Sequence, residues 1–313
     1  MLTFAEYLLF AALACVVIAL ISNAVALTSR RRAAAPARRE EALVSAGVGE
    51  GTLSTPSGSE TIHTRRTEVE DSEKPKSSRG LGWYAMVLEV LALALLTTYL
   101  VIRMMITGHG PFANQHEFAV SFTWGILVVF VVFHWRFQLR ALSLVVLPVT
   151  AGLLVYALAL DTGVRPLIPA LQNNLLLTLH VGFAILAYGA ACVSFGAAVM
   201  YLLHDRFRLR GLPSKETLDE IGYKAAVVTY PLLTIMIVLG AVWANTAWGR
   251  YWGWDPKETA AFVTWLLYGA YLHARVVRDW RGTRSAWLLI IGFISVLFAY
   301  FGNHFFGGLH SYA

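Results

Sequence analysis

Charged residues are scarce in this chain. Asp, Glu, Lys and Arg make up 14% of its 313 residues and hydrophobic residues 57%, against roughly 25% and 45–50% in soluble globular domains. That scarcity excludes an ordinary water-soluble enzyme. A mean hydropathy of +0.59, with several apolar runs long enough to span a bilayer, points instead to a polytopic helical membrane protein. Cysteine is nearly absent too. Cys15 and Cys192 lie in separate apolar runs, and without a C-x-x-C the chain has neither thioredoxin-like redox chemistry nor a means of attaching a haem to itself. It has no Walker A loop and no G-x-G-x-x-G after a strand, which argues against nucleotide hydrolysis.

Eight stretches are apolar and long enough to cross a hydrocarbon core, at 4–27, 82–106, 117–134, 141–160, 175–203, 226–243, 259–276 and 286–304; a span needs about 20 residues at 1.5 Å each. The prediction is an all-α transmembrane bundle in three parts: an anchor at 1–27, a linker at 28–81 and a membrane domain at 82–313. The linker is rich in Ser, Thr, Glu, Arg, Ala and Gly, lacks helical periodicity and is expected to be disordered. The first run reads as an anchor rather than a cleaved signal. It carries Glu6 in place of a basic n-region, exceeds an h-region in length and is followed by Arg30, Arg31 and Arg32.

A net charge of +6 and a pI near 9.4 raise the question of nucleic acid, and the placement of the charges answers it. With the N-terminus outside, 21 of the 25 Lys and Arg fall on inner segments, and the outer side keeps only Arg103, Arg165, Arg250 and Lys257. The positive-inside rule then puts both termini outside and the linker in the cytoplasm. The basic pI is a topology signal, with the lipid bilayer as the partner and no nucleic acid.

The densest chemical signal lies between the sixth and seventh spans, where Trp243, Trp248, Tyr251, Trp252 and Trp254 crowd one stretch expected to be an outer loop. An interfacial aromatic belt accounts for single residues of this kind, but belts draw from many helix ends. A cluster on one loop, with Gly249 and Gly253 allowing close backbone approach, forms a shelf for a flat apolar ligand with polar edges. Asp255, Pro256 and Glu258 match the N-cap, N1 and N3 positions of a capping box, so Asp255 is expected to act mainly as a cap. The helix it opens would aim its positive end into the loop, where a carboxylate could dock.

Of nine histidines, His63 falls in the linker. His134 and His204 sit beside Arg at inner helix ends and read as solvated or interfacial, and His109 and His116 flank an outer loop. His180 and His310 come from distant parts of the chain at similar outer depth, on the side of the Trp stretch. An intramembrane imidazole needs a partner, and two imidazoles facing one ring beside an aromatic shelf describe a bis-histidine haem pocket. His273 lies too deep to join them and lacks an obvious partner at its depth. Glu89, costly in lipid, is expected to face the bundle.

The stretch from Gly240 through Glu258, with Leu179-His-Val, Tyr271-Leu-His-Ala-Arg and the terminal Gly-Leu-His-Ser-Tyr, resembles the WWD haem-handling family, and within it the CcsA (ResC) proteins of the system II cytochrome c synthetase. The resemblance covers roughly 84–313. It implies haem b (iron protoporphyrin IX) as cofactor, held at the outer site by His180 and His310 and within the membrane by His273, with Trp243, Trp248, Tyr251, Trp252 and Trp254 around it. It implies as partner a CcsB (ResB)-like membrane protein that supplies the second membrane ligand. The substrate would be an apocytochrome c with C-x-x-C-H, kept reduced by an upstream thiol-reducing protein. The implied reaction joins the haem vinyls to the substrate thiols, with His180, His310, Trp252, Trp254 and Asp255 at the reacting end, in a bacterial plasma membrane or a thylakoid. His304 matches no ligand position and reads as interfacial. Arg250, Lys257 and Arg165 are candidates to pair with the propionates. Three alternatives remain: a haem exporter or chaperone without ligase activity, a b-type electron-transfer subunit, and a transporter of something unrelated whose Trp residues serve only as anchors.

Overall fold

The computed structural model describes residues 2–46, 80–137, 139–164, 167, 171–172, 174–206, 212–302 and 306–310. His63, Arg165, His304 and most of the linker lie outside them. Eight helices carry the described chain: α1 Leu2–Ala46, α2 Leu81–Thr107, α3 Gln115–Phe137, α4 Ser143–Leu158, α5 Asn174–Leu203, α6 Lys215–Trp248, α7 Pro256–Val277 and α8 Thr283–Phe301. Each, α4 together with the helical turn Arg140–Leu142 before it, provides a segment long and apolar enough to cross a membrane, so the expected all-α polytopic bundle is what forms.

Two boundaries differ from the sequence reading by more than ten residues. Helix α1 continues past residue 28 to Ala46, because Ala, Arg and Glu dominate that stretch and favour helix even where polarity ends the span. Helix α6 begins at Lys215 rather than 226, where the Ser214 hydroxyl caps it by accepting the Thr217 N–H at 3.2 Å. A polar helical turn thus precedes its membrane segment.

Helix α5 is the centre of the bundle, packed along α6, α3 and α8, while α1 lies along α2 and α4. Its buried face includes a run of small residues, among them Ala184, Ala187, Ala190 and Ala191, which let neighbouring backbones approach where no hydrophobic effect drives helices together. Buried polar ties fix the ends. At one end Arg103 Nε donates to Glu117 Oε1 at 2.8 Å, and its other nitrogens donate to the Thr162 and Gly163 carbonyls. Thr162 also donates to Glu6 at 3.0 Å. Towards the other end Glu89 binds Asn23 at 2.9 Å and His134 at 2.6 Å, joining α1, α2 and α3. Glu89 therefore faces the bundle as expected. His134 does not face solvent or headgroups: it is 1% exposed, because a buried carboxylate claims it.

Candidate functional site

The aromatic stretch is only half a loop. Helix α6 runs to Trp248 and closes at Gly249 in the left-handed conformation, φ 72°, so Trp243 and Trp248 are helical and only the residues from Gly249 to Asp255 connect to α7. The expected capping box is present. Asp255 Oδ1 accepts the Lys257 N–H at 2.9 Å, and Glu258 Oε2 accepts the N–H groups of Gly253 and Asp255 at 2.9 and 3.2 Å.

Asp255 does more than cap. Its Oδ2 accepts the Leu309 N–H at 2.6 Å, and its Oδ1 accepts from His310 Nδ1 at 2.8 Å. The terminal segment is thereby fastened to the start of α7. Gly308 makes the approach possible, since a Cβ there would lie 2.3 Å from Asp255 Oδ2. Burial works against the charged carboxylate, yet the His310 ring N–H and the backbone N–H groups of Lys257 and Leu309 hold its pKa down at about 2. Burial also pushes the His310 imidazole below its usual 6.5, against the pull of Asp255. The pair is a neutral imidazole donating Nδ1–H to a carboxylate, the arrangement that orients a metal-binding histidine and raises the basicity of Nε2.

His180 is oriented in a similar way by a different group. Its Nδ1 lies 2.8 Å from the Met236 carbonyl on α6; a carbonyl only accepts, so Nδ1 carries the proton and Nε2 is the basic nitrogen. The ring reaches α6 because residue 240 is glycine: a Cβ there would meet His180 Cε1 at 2.7 Å and Nδ1 at 2.9 Å. Trp243 neighbours both imidazoles. Its ring is nearly parallel to His180 (4°, 6.3 Å between centroids) and 5.8 Å from His310, which Trp248 meets edge-on at 4.8 Å.

All four rings line one cleft. Trp252, Lys257, Glu258, Phe118, Tyr188 and Tyr300 also line it, with Phe112 and Asn114 from the α2–α3 connection. The lining is mainly apolar with a few convergent polar groups, the general character of a cofactor pocket. Of the residues expected from sequence, His180, His310, Trp243, Trp248 and Trp252 come together there, with Asp255 behind His310. Tyr251 and Trp254 do not line it; they are 60% and 67% exposed. His273 stands apart on an exposed face of α7, roughly 25 Å along the helix from Pro256 at 1.5 Å per residue. His116 is engaged at both nitrogens, by Tyr99 at 2.6 Å and the Ala157 carbonyl at 2.8 Å, and His109 binds the Gly110 carbonyl; these two tie the structure together outside the cleft.

The donor set suits iron already held in a macrocycle. Among the described residues no group of three or more His, Cys, Asp or Glu side chains is arranged around a metal, whereas a porphyrin supplies four nitrogens and needs only axial ligands. Sequence reasoning missed the Met236 carbonyl, because every residue has one and nothing marks it. The role of Gly240 was also missed, although its place four residues after Met236, on the same helix face, was open to view.

Residues 113–310 match the family described as cytochrome C assembly protein. The chain is similar to the cytochrome c biogenesis protein CcsA of Guillardia theta, 35% identical over 251 residues, or 71% of this chain and 83% of that protein. It is 33% identical to the CcsA of Microcystis aeruginosa, covering 74% and 87%, and 33% identical to that of Chlamydomonas reinhardtii, covering 79% and 76%.

Proposed function

Since the chain belongs to the cytochrome c assembly protein family and acts in cytochrome c biogenesis as a multi-pass membrane protein, we propose that it carries haem b to the outer face of its membrane. There it holds haem for attachment to the C-x-x-C-H thiols of an apocytochrome c, in complex with a CcsB-like partner. The observation that carries this reading is the meeting of His180 and His310 in one aromatic cleft, each with its Nδ1 engaged by an acceptor. Haem supplies the iron and the two vinyl groups; the thiolates belong to the substrate. The chain's residues hold and orient. Met236 and Asp255 fix the imidazole tautomers, Trp243 and Trp248 set the ring planes beside them, and the apolar wall limits water. Positioning of this kind, rather than acid–base chemistry, is what lowers the barrier to thioether formation here. The charge distribution supports an outer site, in a bacterial plasma membrane or a thylakoid. The exposed position of His273 supports a membrane haem ligand whose counterpart comes from the partner.

The test is the haem spectrum of the purified protein. Wild type is expected to give a two-imidazole, low-spin spectrum at the cleft, and His180→Ala and His310→Ala each to abolish it. Unchanged spectra in both variants would refute the reading. Coexpression with a CcsB-like partner and a C-x-x-C-H reporter separates ligase from exporter, because only a ligase leaves haem on the reporter after denaturation.

A further inference from the structure

Inside the cleft one ammonium makes no close ion pair among the described residues, although the Asp255 charge acts on it at longer range and Glu258 lines the same wall. Lys257 lines it with its ammonium 5.2 Å from the centre of the Phe118 ring, and among the described residues no carboxylate pairs with its Nζ. Both nearby acids are committed: Asp255 to Lys257 N–H, Leu309 N–H and His310, and Glu258 to Gly253 N–H and Asp255 N–H. A second donor lies in the same wall. Trp243 is 2% exposed, and its indole N–H has no acceptor among the described residues. A buried N–H and an ammonium in an apolar wall are each costly until an acceptor arrives.

The other candidates for this role are placed differently. Arg250 is exposed on the loop against Gly253, and Arg165 lies outside the described residues. The first-turn amides of α7 are taken up by Asp255 itself, so the helix start leaves no N–H for an incoming anion.

We propose that Lys257, assisted by the Trp243 N–H, is the carboxylate-docking end of the cleft, a positioning residue that fixes the in-plane rotation of a flat ligand by gripping its acidic edge. The inference rests on the haem reading of the cleft. In protoporphyrin the two propionates share one edge and the vinyls the opposite one, so gripping the acids turns the vinyls away from Lys257. The site then selects for free carboxylates, a property that two axial imidazoles cannot confer.

The experiment titrates the full chain in detergent with haemin and with haemin dimethyl ester, following absorption, for wild type, Lys257→Met, Lys257→Arg and Trp243→Phe. Wild type is expected to bind the diacid about tenfold more tightly than the diester, the worth of one charge-assisted hydrogen bond. Lys257→Met should bring the two affinities together by weakening the diacid alone, Lys257→Arg should keep the preference, and Trp243→Phe should reduce it in part. Equal affinities in wild type, or a preference that survives Lys257→Met, overturns the proposal. The wild-type comparison decides even if a variant fails to fold. If neither porphyrin gives a two-imidazole spectrum in wild type, the haem reading itself falls; equal binding with that spectrum intact sinks the Lys257 role alone.

Discussion

At the scale of single residues, Asp255 joins two jobs that sequence separates. As an N-cap it satisfies the start of α7, and as an acceptor it sets the tautomer of His310. Its acid dependence has two legs. His310 is held below 6.5 by burial, so on acidification the unfolded chain takes up that proton first, and stability present above 6.5 begins to fall there. Asp255 is held at about 2 against an ordinary 3.8, so its contribution is present above 3.8 and is lost as pH falls towards 2. Thermal unfolding across pH should show both legs, and Asp255→Asn should remove the lower one while keeping the upper. Gly240 is the second telling position. Gly240→Ala places a methyl 2.7 Å from the His180 ring, an overpacking worth about 1–3 kcal/mol. The expected result is a shift of the cleft haem from low spin towards high spin while the helix content stays unchanged; an unaltered spectrum counts against the role given to this glycine.

At the scale of elements, the bundle is locked by buried ion pairs near the helix ends. Arg103 and Glu117 are each 1% exposed, so removing one partner strands a charge. Arg103→Met is expected to cost about 3–5 kcal/mol, read as a lowered unfolding midpoint in detergent, and the double change Arg103→Met with Glu117→Met should recover part of the loss. If the single change is silent, the pair does not hold α2 to α3. The cleft depends on such locking, because Phe112 and Asn114 of the α2–α3 connection line it while its imidazoles come from α5 and the end of the chain.

At the scale of the whole molecule, the cleft and His273 are two separate places on one bundle. The cleft gathers two imidazoles within the chain, whereas His273 presents a single imidazole on an exposed helix face. His273→Ala should therefore leave the haem spectrum of the isolated chain unchanged and remove one haem only when the protein is purified with its partner; loss of the cleft spectrum would place His273 in the wrong site. The eight spans were legible without coordinates because bilayer thickness imposes a run length that composition alone reveals. The capping box was legible because capping depends on residues three apart in sequence. The sequence also marked His180, His310 and Trp252 as a group, through their chemistry and shared depth. Only the tertiary structure decided that the sixth helix runs on to Trp248, that Tyr251 and Trp254 stand outside the cleft, that Glu89 claims His134, and that Asp255 holds His310. The last two are contacts between segments far apart along the chain, fixed by how helices pack, and no local pattern of residues encodes them.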